Sequence, residues 1–215
     1  TRLIGGLIMT HSDDDGLVLP PKIAPTQIII IPIIHKEEDK QKILSYSKTL
    51  LEKLKKINYN NTNIRVDTDN RDIKSAGKGW HWVKKGVPIR LEIGIKELEK
   101  NSVFMGRRDK TNKERCSLLQ DEFISQAEQI LNQIQDNLYN KAFKFQQENT
   151  HVINNKTEFE EYFSNKNKSN AGFAKVFWAQ DAKLEDEISK KYGISIRCIP
   201  FNAKTGKCIF TDKDG

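Results

Sequence analysis

Hydrophobic positions along this chain fall into three patterns, and each predicts a different element. The first is an unbroken run at 27–34, QIIIIPII. A strand that is apolar on every residue suits the middle of a sheet covered on both faces. The second pattern alternates. In VPIRLEIG, Val87, Ile89, Leu91 and Ile93 take one side against Pro88, Arg90 and Glu92 on the other. That predicts a strand with one half-open face, on which Arg90 and Glu92 stand together because residues two apart share a side. IRVDTD is a shorter strand of the same kind, and SVFMGRRD is a further strand that ends in charge. The third pattern has helical spacing. Ile43, Leu50, Leu51 and Leu54 line one face of a helix, and Leu118, Leu119, Phe123, Ala127, Ile130, Leu131, Ile134, Leu138, Ala142 and Phe145 line a longer one.

The linking segments follow from turn residues. NYNNTN is a turn cluster, and NRDIKSAGKGWHWVKKG is a loop plus a short helix whose flexible start is marked by Gly77 and Gly79. Residues 1–21 read as strand, acidic loop and strand, closed by a proline pair. The strand–helix–strand order that follows implies a right-handed crossover and parallel pairing. Past residue 149 the polar stretch ENTHVINNKTEFEEYFSNKNKSN, with an aromatic helix at Phe159, Tyr162 and Phe163, looks like a boundary. AKVFWA, a helix AKLEDEISKKYG, a strand ISIRCIPF and a turn before CIF then form a second, small unit. The fold class is α/β.

Composition narrows the setting. The 215 residues suffice for one large or two small domains, and 37% hydrophobic residues supply real cores. Charged residues at 30% and a mean hydropathy of −0.65 imply much wet surface. No apolar run approaches the ~20 residues of a membrane-spanning helix. Cys116, Cys198 and Cys208 are odd in number and lack paired spacing, which points to a reducing, cytoplasmic compartment. A net charge of +7 favours a polyanionic partner, with a lysine-rich solvated surface as the plainer alternative.

The densest chemistry is GKGWHWVKKGVPIRLEIG, where two tryptophans, a histidine and several cations are interleaved beside the half-open strand. Bases stack on aromatic or guanidinium planes while Lys and Arg hold phosphates. Arg90 and Glu92 could donate to and accept from a base, or form a plain salt bridge. His11 beside Asp13, Asp14 and Asp15 suggests either a metal or acid/base cluster or, more simply, a capped turn. No phosphate-binding glycine loop and no serine or cysteine nucleophile motif occurs. The chain therefore holds no complete active site.

At this point the residues resemble a family. TRLIGGLIMTHSDDDGLVLPPKIAP is similar to motif 3 and its sequel in prolyl-tRNA synthetases of the eukaryote/archaeal type, class II enzymes. GKGWHWVKKGVPIRLEIG and SVFMGRRD resemble that family's anticodon-binding domain, and FWAQDAKLEDEI with IRCIPF and GKC resemble its C-terminal domain. The likeness runs in register over nearly the whole chain. It implies a C-terminal fragment divided into the end of the catalytic domain (1–26), an anticodon-binding domain (27–120), a connecting helix (121–150) and a C-terminal domain (151–215). The fold it implies is a mixed five-stranded sheet flanked by helices, joined by the long helix to a small α/β domain.

The resemblance also implies chemistry. The whole enzyme would activate L-proline with ATP and Mg2+ to prolyl-adenylate and pass it to tRNA(Pro), as a homodimer, while the fragment is expected to be inactive, able to bind the anticodon loop, and free to be a monomer. Thr1 and Arg2 would lie against ATP. Lys85, Arg90, Glu92, Lys96, Glu97, Arg107, Arg108 and Asp109 would face the anticodon, with Glu92 reading a guanine. The family's usual GPRDL is GIKEL here, which keeps the charges at Lys96 and Glu97 but loses the rigid turn and the guanidinium fork. Relatives often hold a structural zinc with four thiolates. The matching positions are Ala179, Leu184, Cys208 and Phe210, so no zinc is expected, and Leu184 and Phe210 are expected to pack in its place. The alternatives are a non-catalytic anticodon-domain protein that binds RNA or serves as an accessory subunit, and a threonyl or glycyl enzyme of the same class.

Overall fold

Four consecutive isoleucines, Ile28 to Ile31, are completely buried in β1 (Ile28–Pro32), and the two sides of the molecule's first unit are built on their two faces. Full burial of each such side chain stabilises by about 1.5–3 kcal/mol. Ile28 and Ile30 meet α2 (Glu37–Leu54) through Ile43, Leu50 and Leu54. They share that core with Phe123, Ala127, Leu131 and Ile134 of α5 (Gln120–Glu148). Ile29 and Ile31 point the other way, toward Val87 and the half-buried Trp82. This is a computed structural model, and it describes residues 1–164 and 172–215.

Five strands form one mixed sheet in the order β4 (Val66–Thr68), β1, β5 (Ile89–Ile93), β6 (Ser102–Arg107), β7 (Cys116–Leu119). β1 runs parallel to β4 and β5, as the strand–helix–strand order requires, and β5, β6 and β7 are antiparallel. The asparagine cluster closes a hairpin between β2 (Asn58–Tyr59) and β3 (Thr62–Asn63). Asn60 and Asn61 both take positive φ there, the backbone that a two-residue hairpin turn needs and that asparagine tolerates. α3 (Ser75–Lys84) follows β4, and the short α4 (Ile95–Glu99) follows β5.

Several sequence expectations are corrected. Residues 2–11 form a helix, α1 (Arg2–His11), and not a strand, with no residue buried and with Leu3 and Met9 almost wholly exposed. A strand must export its backbone hydrogen bonds to a neighbour, and none is offered here by the described residues, whereas a helix closes them internally. Gly77 and Gly79 lie inside α3, not in a flexible approach to it. ISIRCIPF forms no strand, and Ile196, Ile199 and Phe201 are exposed.

The chain divides into two compact units, 1–142 and 143–215, within α5. The second unit holds β8 (Thr150–Val152) parallel to β9 (Phe173–Lys175), with α6 (Lys156–Ser164) and α7 (Ala182–Tyr192). The end of the polar stretch, 165–171, lies outside the described residues. α7 is capped by Asp181, which accepts from the amides of Lys183 and Leu184, and it stops at Gly193 in the left-handed conformation. The unit packs around aromatic rings. Phe159 meets Phe163 at 4.7 Å, Phe210 at 5.0 Å and Tyr192 at 5.8 Å, and Phe210 also meets Trp178 at 6.0 Å.

The zinc expected of relatives can be tested against these positions. Cys208 is buried, and amides of Phe210, Ala179 and Thr211 hydrogen-bond to its sulfur. Burial pushes its thiol up, but hydrogen bonds outweigh that and leave it below the usual range. Ala179, Leu184 and Phe210 offer no ligand atom, and Phe210 fills its space with packing instead, so the residues do not fit a four-thiolate site. Among the described residues no group of three His, Cys, Asp or Glu could hold a metal.

Candidate nucleic-acid interface

On the sheet face shared by Ile29 and Ile31, α3 covers β1, and the chemistry lies on the other half, over β5, β6 and β7. Strand register brings it together: Arg90 stands opposite Gly106, Glu92 opposite Phe104, and Phe104 opposite Ser117. Arg115, just before β7, pairs with Glu92 and lays its guanidinium carbon 4.5 Å from the centre of the Phe104 ring. Gly106 makes room for Arg90, since a Cβ there would meet Arg90 Nη2 at 3.1 Å, while Arg115 Cγ would lie at an ordinary contact of 3.6 Å. Across the face, Gly79 of α3 comes near Glu92 and presents no side chain to it.

The half-open face expected for β5 is more closed than its alternation suggests. Arg90 is only 5% exposed, because Arg115 and the turn at Asn112 close over a position that β6 leaves empty. Its guanidinium donates to Asn112 Oδ1 at 3.5 Å and, among the described residues, has no carboxylate within 4.0 Å. Burial, with Arg115 beside it, lowers its pKa to about 10 against the opposing pull of Glu92, so it remains a cation at neutral pH. Glu92 and Arg115 are about one-quarter exposed, and Arg115 Nε is buried without a hydrogen-bond partner. Two guanidiniums and one carboxylate leave a surplus positive charge beside an aromatic ring.

The other predicted residues divide by what already holds them. Arg108 is buried, donates to Asp13 Oδ2 at 2.7 Å and to the Val83 carbonyl at 3.1 Å, and also reaches the Gly16 carbonyl. Its hydrogen bond is the main reason that Asp13 titrates below its ordinary value. Arg107 grips Asp109 at 3.0 and 2.8 Å and reaches Gln133 at 3.0 Å. Asp109 is further fixed by Asn137 at 2.8 Å; burial pushes its carboxyl up, but these hydrogen bonds outweigh it and hold it low. Glu97 accepts the Gly94 amide at 3.0 Å and so caps α4, while Lys96 is exposed. Lys85 is exposed above Trp82, its ammonium 5.1 Å from the ring. Thr1 and Arg2 are exposed at the start of α1. Among the aspartates beside His11, Asp13 accepts the Asp15 amide at 3.0 Å, which is the capped turn.

The two tryptophans have separate roles. Trp82 donates its indole N–H at 2.7 Å to Asp69, whose fully buried carboxylate also binds Arg71 at 2.9 and 2.6 Å. These bonds, led by Arg71, hold Asp69 far below the ordinary carboxylate range. Trp80 remains 45% exposed, with Lys84 5.5 Å from its ring. Sequence reasoning missed Phe104, Asn112 and Arg115. The alternation in SVFMGRRD could have put Phe104 on the face of Arg90, but nothing local marks Arg115.

Comparison with known proteins places residues 27–130 in the family described as anticodon binding domain. Residues 159–215 match the family described as prolyl-tRNA synthetase, C-terminal. The proline–tRNA ligase of Bdellovibrio bacteriovorus is 40% identical over 99% of this chain and 43% of its own length. That of Akkermansia muciniphila is 42% identical over 99% of this chain and 42% of its own. A crystal structure of prolyl-tRNA synthetase from Cryptosporidium parvum, complexed with L-proline and AMP, superposes with a TM-score of 0.82 at 34% identity, covering 99% of this chain and 44% of that one. The chain thus spans less than half the length of the curated relatives it matches.

Proposed function

Because this chain carries the anticodon-binding and C-terminal domains of the prolyl-tRNA synthetase family, we propose that its sheet face binds the anticodon loop of proline tRNA. One observation carries the reading. Glu92, an acceptor, pairs with the Arg115 guanidinium on the strand face it shares with Arg90, opposite Phe104 on the uncovered half of the sheet, with Trp80 exposed on the neighbouring helix. Guanine presents two parallel N–H donors on its pairing edge, which suit one carboxylate, and proline anticodons carry two successive guanines. Lys85 and Lys96 are exposed and free to add phosphate attraction, which makes binding salt-dependent. Arg107, Arg108 and Asp109 brace the end of β6 through their internal pairs.

The longer protein is proposed to be a proline–tRNA ligase. It would join L-proline to ATP, releasing pyrophosphate, then transfer the prolyl group to the terminal adenosine of its tRNA, with Mg2+ accompanying ATP. Thr1 and Arg2 would serve ATP only within that protein, which is expected to be a cytoplasmic homodimer. The match at 159–215 favours this over an accessory RNA-binding protein.

Filter binding with a panel of purified tRNAs tests the reading. Proline tRNA should bind best, and Glu92→Ala should weaken it about tenfold, within the ~1–3 kcal/mol of a good base contact, while barely changing a tRNA with altered anticodon. Equal losses for both would remove the readout role, and an absence of preference in the unaltered chain would remove the function.

A further inference from the structure

The pairing on this face holds a second piece of information. A guanidinium offers a carboxylate two parallel N–H donors, and the pairing edge of guanine offers the same arrangement through its ring N–H and amino group. In the free chain Glu92 already binds an internal stand-in for the base, Arg115, through Nη2 to one of its oxygens. We propose that Arg115 is a lock on Glu92 which a guanine displaces, and which then moves to a phosphate of the same RNA.

Three features set this pair apart from a plain surface ion pair. Arg115 Nε is buried with no acceptor, a deficiency that a phosphate oxygen would repair. Its neighbour Arg90 is a sealed cation without a carboxylate partner, so freeing Arg115 presents one accessible guanidinium backed by a second, buried positive charge. Phe104 supports the Arg115 plane while leaving its outer side one-quarter exposed, which gives the guanidinium somewhere to slide from. The lock also sharpens selection. A base with a single donor, such as adenine or uracil, cannot engage both Glu92 oxygens as guanine can, so it displaces the lock poorly.

The proposal rests on the anticodon-loop reading, and its test keeps the two apart. Binding of an RNA hairpin with the proline anticodon loop is measured across a salt series for the unaltered chain, Arg115→Gln and Arg115→Lys. Loss of one phosphate contact to single-stranded RNA should reduce the slope of log K against log salt by about 0.7 in Arg115→Gln. Arg115→Lys, which keeps the charge, should retain the full slope. An unchanged slope in Arg115→Gln overturns the lock. Independently of folding of the variants, the Arg115 Nε–H resonance of the unaltered chain should shift when the hairpin is added, and a stationary resonance also overturns it. If the unaltered chain fails to prefer the proline loop, the underlying function falls, whatever Arg115 does.

Discussion

Two arginine-rich places lie along β5 and β6, and they are used in opposite ways. At the end of β6, Arg107 and Arg108 are committed to Asp109, Asp13, Gln133 and the Val83 carbonyl, and little of either faces water. Over the middle of the sheet, Arg115 alone pairs with Glu92, Arg90 has no carboxylate partner among the described residues, and donors are left over. The difference teaches that a conspicuous basic motif need not be the surface that meets a ligand. A cation with every donor engaged holds the fold. A cation with donors unmet is available to a partner.

The contrast breaks most visibly at Arg108. Arg108→Ala should cost about 3 kcal/mol, since it removes a buried guanidinium with its bonds to two carbonyls and to the half-exposed Asp13, read as a lower urea midpoint. RNA affinity per folded molecule should stay within twofold. A stable variant with weak RNA binding would reverse the two assignments. Arg107→Ala should cost about 2–3 kcal/mol by leaving Asp109 buried and underpaired. It carries a pH signature. The folded carboxyl of Asp109 is held low, so its contribution is complete above the unfolded pKa and fades as pH falls through the folded one. Removing Arg107 raises the folded value, and acid unfolding should begin at higher pH than in the unaltered chain. The smallest effect is expected at Glu97, where loss of the cap on α4 should cost about 1 kcal/mol, with anticodon preference intact. A lost preference there would enlist Glu97 in the readout.

Sequence pattern revealed the scaffold unevenly, for identifiable reasons. β1 is legible because its apolar run is unbroken, and α2 and α5 because their burial repeats at helical spacing over many residues, although Leu118 and Leu119, read as the start of the long helix, belong to β7. Residues 2–9 show similar apolar content, yet adopt a helix, since a strand is defined by a neighbour and none of the described residues pairs with them. Glu92 and Arg90 could be placed on one face from spacing alone. The commitment of Arg108 could not, because its partner Asp13 lies 95 residues away in sequence. Arg115 was hidden for the same reason: its meaning comes from the register of β5, β6 and β7.

Gly106 gives that register a heritable consequence. Every amino acid one nucleotide away from a glycine codon carries a β-carbon, and at this spot a β-carbon would press on Arg90 from behind. A change at this codon to an uncharged residue such as alanine or serine would thus shift the Arg90 guanidinium without altering any charge, which makes the least conspicuous residue on the face a dial for inherited tuning.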